Sequence, residues 1–155
     1  MTPDDYPRPS RLSEVAHAGA RGAVGAMAMT GVRTVTEDLG LVRETPPKAL
    51  VRKKGRGLLR RTPPTRWRTL VEVAHWGVGA MGGAAFGLLP EDLRRRAWAG
   101  PVHGLAIWLS FELGLAPLLG LKQATRPKLT EQLALIADHL VYGLVLSEGR
   151  RRPRR

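Results

Sequence analysis

The chain has 155 residues, 25 Lys and Arg against 13 Asp and Glu, a net charge of +12 and no cysteine. That length accommodates one domain. The missing cysteine excludes disulfides and thiolate metal sites, and the positive balance asks for an anionic partner, either nucleic acid or lipid headgroups.

The charge is segregated. Basic residues gather in Arg43–Arg68, Arg94–Arg96, Lys122–Lys128 and Arg150–Arg155, and apolar blocks rich in Gly and Ala lie between them. This pattern argues for a bilayer with anionic headgroups as the partner and against nucleic acid, whose binders interleave basic residues with their folded elements.

Residues 1–13 read as a disordered N-terminal tail, in which Pro3, Pro7 and Pro9 deny a helix. The tail is acidic and lacks the basic-then-apolar order of a signal peptide, so any insertion signal is expected to be a retained transmembrane segment. Ser13 is the expected N-cap of the first helix, with Glu14 in its first turn.

Segment one is expected over about residues 14–39. Its uncharged core, Gly22 to Val32, is short for a span, which needs about 20 apolar residues. Arg21 and Arg33 bracket that core and can snorkel to opposite interfaces. Small residues four apart (Ala18, Gly22, Ala26) suit close helix packing. The segment reads as a span, with an interfacial amphipathic helix as the alternative. Gly40 is expected to close it.

Residues 40–66 form a basic loop. Pro46-Pro47 blocks helix there, and Arg52, Lys53, Lys54, Arg56, Arg60 and Arg61 are candidate lipid-headgroup residues. A solvated basic loop is the alternative.

Segment two, about residues 67–89, contains Val73–Leu89, which has no Asp, Glu, Lys or Arg. Gly79, Gly83 and Gly87 recur every four residues, and His75 lies one step back on the same stripe. In water such glycines weaken a helix by roughly 1 kcal/mol each. In a bilayer they open a groove for a second helix. This segment is therefore expected to be the central packing helix, with segment one seated in its groove.

Segment three is expected over about residues 98–121, with Pro101 in its first turn and Pro117 near its end. Glu91–Arg96 is short enough to make segments two and three an antiparallel hairpin. Trp67 and Trp98 fall where interfacial aromatics are favoured. Segment four, about residues 128–148, has Thr130 as its expected cap, and residues 150–155 form a basic tail. With four spans, the face holding Arg43–Arg68 and Lys122–Lys128 carries more basic residues than the other. That casts a weak vote for its being cytoplasmic.

Ionisable residues inside apolar segments are costly and need partners. At about 1.5 Å per residue, His75 lies about 7 Å, Arg33 roughly 9 Å, and Glu112 and His139 roughly 13–14 Å from the loop-bearing face. His103 lies roughly 25 Å away on that scale, which argues against a three-histidine metal centre; no metal or other cofactor is expected. Arg33, His75, Glu112, Asp138 and His139 form a candidate buried polar cluster. It either locks the bundle by mutual satisfaction or forms a proton-responsive site. There is no GxxxxGK[ST], HExxH or GxSxG, and no serine has convincing His and acid partners.

The order of features resembles the YagU-like bacterial inner-membrane proteins. The resemblance rests on the small-residue first helix, Pro46-Pro47-Lys48, His75 in EVAHWGVGAMGGAAFGLLP, the stretch Ala116-Pro117-Leu118-Leu119-Gly120-Leu121, and Glu131 followed by His139-Leu140-Val141 before a basic tail. It covers about residues 15–152. It implies a multi-pass helical inner-membrane protein with no assigned activity and supplies no catalytic residues.

The sequence therefore predicts an all-α, polytopic membrane protein of about four transmembrane helices. It is expected to be non-enzymatic and able to form homo-oligomers through leftover Gly faces. Its rivals are a small proton-responsive transporter or channel component and a basic helical nucleic-acid-binding protein.

Overall fold

The computed structural model describes residues 10–40, 63–118 and 129–148. The tail residues 1–9, the basic loop with Arg52, Lys53, Lys54, Arg56, Arg60 and Arg61, the link carrying Lys122, and the C-terminal run lie outside the described residues. Every regular element among those described is helical.

Helix α1 spans Arg11–Asp38. Its N-cap is Ser10, whose extended backbone lets Oγ accept from the Ser13 N–H at 3.2 Å. Ser13 is thus the donor and not the cap: the helix starts one turn earlier than expected because Ser10 follows the last proline of the tail. At the other end Gly40 takes φ 71°, and its N–H reaches the Glu37 carbonyl at 2.9 Å. Glycine adopts that left-handed closure without steric penalty.

Helix α2 spans Pro64–Leu88, with proline at its first position, where an N–H is dispensable. It stops because Pro90 pushes Leu89 into the extended region, at ψ 153°. One turn, α3 (Glu91–Arg94), follows. Arg94 donates to the Leu89 carbonyl at 3.0 Å and to Glu14 Oε2 at 2.6 Å, which fastens this turn to the start of α1.

Helix α4 spans Ala99–Leu118 and contains a π-helical stretch at Ser110–Leu115. Pro117 offers no N–H to the Leu113 carbonyl, and just before it the Ala116 N–H reaches five residues back to Phe111. Helix α5 spans Leu129–Glu148. Thr130 is itself helical and so is not the expected cap.

The four long helices pack in the spatial order α2, α1, α5, α4. The central element is therefore α1, which packs against both α2 and α5, and the Gly-rich α2 lies to one side. The expected hairpin of segments two and three exists as a connection, but α2 and α4 barely touch. They meet where His103 Nε2–H donates to the Gly82 carbonyl at 2.9 Å and the His103 ring tilts onto Phe86 with centroids 5.2 Å apart. Both helices have spent their small faces on other partners.

Two seams of small residues hold the bundle. On α1–α2, a Cβ added to Gly22 would lie 2.8 Å from the Gly83 Cα, and one on Gly87 would lie 3.0 Å from the Val15 Cα. On α4–α5, a Cβ on Gly143 would lie 2.7 Å from the Pro101 Cα. Such approach is the usual mode of helix association in lipid, where dispersion between close backbones replaces hydrophobic burial.

The distribution of side chains is inverted relative to a water-soluble fold. The buried hydrophobics are mostly small, with Met29, Phe86, Tyr142 and Leu146 the larger ones. Large apolar residues point outward on all four long helices: Val24 and Val35 on α1, Val78 and Met81 (72 % exposed) on α2, Leu113 and Leu118 (84 % exposed) on α4, and Leu133 and Leu144 on α5. Two helices, Ala99–Leu118 and Leu129–Glu148, are long and apolar enough to cross a membrane.

Candidate functional site

The polar residues converge on the interior between α1, α2 and α5. On α1, Ala26, Thr30 and Arg33 share a face; on α2, Glu72, His75, Trp76 and Gly79 do the same at helical spacing. Antiparallel packing brings these faces together.

Arg33 is 7 % exposed, and its Nη2 lies 2.9 Å from Glu72 Oε1 and 2.8 Å from Oε2. Thr30 completes the arrangement. Its hydroxyl lies 2.9 Å from Glu72 Oε2 and 3.1 Å from the Ala26 carbonyl, and donates to one of them at a time. It also accepts from Trp76 Nε1–H at 3.3 Å and from Arg33 Nη2–H at 3.4 Å. The ion pair thus joins α1 to α2 within a hydrogen-bonded network, the form in which buried charge persists.

Three further groups surround this pair. His75 lies within electrostatic range of Arg33, Glu72 and His139, and its Nε2 is buried without a hydrogen-bond partner. Asp138, on α5, is 6 % exposed and within electrostatic range of Arg33. Its Oδ1 also has no partner. His139 Nδ1–H donates to the Leu135 carbonyl of its own helix at 2.8 Å, which leaves Nε2 as the free position of the neutral ring. One turn beyond Asp138, Tyr142 donates to the Gly79 carbonyl at 2.6 Å and ties α5 to α2.

The structure therefore gathers Arg33, His75, Asp138 and His139 in one region, and adds Glu72, Thr30 and Trp76. It does not bring in Glu112. The Arg33 partner is Glu72, and Glu112 makes no hydrogen bond or ion pair with the cluster among the described residues. The reason is helix stagger. A Cβ on Gly104 would meet the His139 carbonyl, so these two residues are level. Glu112, eight residues on, is then about 12 Å beyond that level toward the loop-bearing end. The same register places His103 level with His139, closer than depth counting from helix ends suggests. The His103 ring nevertheless turns to the Gly82 carbonyl on α2.

Gly79, Gly83 and Gly87 all lie at the α1–α2 seam. Glu72 had a visible signal, being three residues before His75 on the glycine stripe. Its place just outside the charge-free stretch concealed it.

Among the described residues, no group of three or more His, Asp or Glu is placed to hold a metal ion. The cluster contains instead one matched charge pair, a second carboxyl and two imidazoles, a composition suited to holding water and protons. Compared with protein-family models, with curated proteins and with solved structures, the chain matches none.

Proposed function

We propose that this chain is a non-enzymatic, multi-pass inner-membrane protein in which all four long helices span, one of the YagU-like proteins it resembles. The observation that carries the reading is the inverted side-chain distribution. Small residues and a charged network fill the interior, and large apolar residues face outward on α1 and α2 as well as on the two more apolar helices. In water, so many exposed large apolar residues would favour aggregation. In lipid, it is the expected solvent-facing surface.

The basic segments then lie at the headgroups, where each Lys or Arg adds about 1 kcal/mol of attraction to anionic lipid. Carbonate and high-salt washing of membranes tests this reading. The protein should stay with the membrane pellet. Release into the soluble fraction would overturn the reading and favour a basic helical protein that binds nucleic acid.

A second reading, a small proton-responsive transporter or channel component, is favoured by one specific observation. His75 Nε2 and Asp138 Oδ1 are buried without partners beside an ion pair. Intramembrane ionisable groups commonly mark ion or proton pathways. Reconstituted into vesicles containing a pH-sensitive dye, the protein should then respond to an imposed pH gradient, and protein-free and protein-containing vesicles behaving alike would remove this reading.

A further inference from the structure

Asp138 is the ionisable group least accounted for by packing. It is 6 % exposed, and its Oδ1 lacks a hydrogen bond. The helices packed around it carry these titratable groups in the bundle interior. From α1 comes Arg33. From α2 come Glu72, bonded to Arg33, and His75, whose Nε2 is unengaged. Helix α5 itself carries His139, turned to its own backbone, and Tyr142, committed to Gly79. From α4 comes His103, held by the Gly82 carbonyl.

Arg33 already faces both oxygens of Glu72, so with the two imidazoles neutral an ionised Asp138 would leave the cluster one negative charge over, without a donor on Oδ1. A protonated Asp138 leaves the cluster neutral. Metal ligation is not the alternative, because no suitable ligand group surrounds it among the described residues.

The geometry points to Asp138 as a proton-binding carboxyl inside the bundle, and through it to a switch in how Arg33 is shared. In binding, one proton passes from water to a carboxylate oxygen, forming an O–H bond there as the water O–H bond breaks and hydroxide is left to the bulk. In release, the O–H electron pair stays on the carboxylate and the proton returns to water. With the proton bound, Arg33 belongs to Glu72 and joins α1 to α2. With the proton lost, Asp138 competes for Arg33 and draws α5 toward α1 by charge. This inference deepens the second reading above and rests on the bundle being embedded in lipid.

Infrared difference spectroscopy of the full-length protein in phosphatidylcholine vesicles, titrated with pH, tests it. The chain has 13 Asp and Glu, so the expected result is a protonated-carboxyl C=O band that is still present at pH values where exposed carboxyls have ionised and disappears as pH rises further. That band should shift when the protein is made with carboxyl-¹³C aspartate, be absent in Asp138→Asn and remain in Glu112→Gln. The isotope shift requires no variant, so a misfolded Asp138→Asn does not block the test. Absence of that persistent band in the wild type, its insensitivity to labelled aspartate, or its survival in a folded Asp138→Asn would each overturn the inference.

Carbonate washing of the same vesicles separates the failures. Protein that stays in the pellet without the band defeats the proton site alone, and protein that washes off defeats the membrane reading and the inference with it. A vesicle pH response that is unchanged in Asp138→Asn leaves the transport reading intact and removes Asp138 from it.

Discussion

Gly22 of α1 and Gly83 of α2 meet backbone to backbone: a Cβ on either would lie 2.8 Å from the Cα of the other. The bundle is organised on this contact. It sets the α1–α2 register, and that register brings Arg33 onto Glu72 and Thr30 onto Trp76 further along the same seam.

A bulky side chain at this contact should therefore separate the helices. Gly83→Leu is expected to destabilise the protein by about 3 kcal/mol or more, at the upper end of overpacking costs. Gly77, on the same helix, has nothing within 4 Å of its Cβ position. Gly77→Ala should be neutral or stabilising by up to about 1 kcal/mol. Thermal unfolding in detergent compares the two. Equal melting temperatures would show that the seam is not where α1 and α2 hold each other.

The Arg33–Glu72 pair should behave as a unit. Removing one partner leaves a charge uncompensated, so Glu72→Ala is expected to cost about 3 kcal/mol. The double variant Arg33→Met with Glu72→Met should recover most of that loss. Glu112→Gln should change stability by less than about 0.5 kcal/mol, because Glu112 stands outside the cluster. A double-mutant cycle with no coupling between Arg33 and Glu72 would contradict the arrangement.

Tyr142 contributes in two ways. Its ring lies against Gly25, where an added Cβ would be 2.8 Å from Cδ2, and its hydroxyl bonds Gly79 across the interior. Tyr142→Phe should cost about 1 kcal/mol, the net value of one hydrogen bond. Tyr142→Ala should cost about 3–5 kcal/mol through loss of the ring and the cavity left behind. Equal losses for the two would mean that the hydroxyl carries the whole effect.

Much of this was legible in the sequence. The four segments are visible as apolar, Gly- and Ala-rich blocks between basic runs, and the every-fourth glycines of Val73–Leu89 announce a close helix partner. What composition could not supply was register. Gly100, Gly104 and Gly143 form a second seam as tight as the first, but Gly143 stands alone in its helix and gains meaning only opposite the other two. Glu112 looked level with His139 when depth was counted from helix ends, and the α4–α5 stagger separates them. The central position of α1 was hidden for a related reason: a helix with charged ends and a short apolar core reads as peripheral until its two packing faces are known.

The distinction that matters most is between four spans and two, because α1 and α2 carry the ion pair and, among the described helices, only α4 and α5 are long and apolar enough to cross a membrane on composition alone. The chain has no cysteine, so single cysteines report cleanly. Val24→Cys on α1 and Met81→Cys on α2 should resist a membrane-impermeant maleimide added to membranes opened so that both faces are reachable. They should react once detergent replaces the lipid, and Ser10→Cys should react in both conditions. Val24→Cys and Met81→Cys labelling as fast as Ser10→Cys in undissolved membranes would place α1 and α2 in water and contradict the four-span bundle.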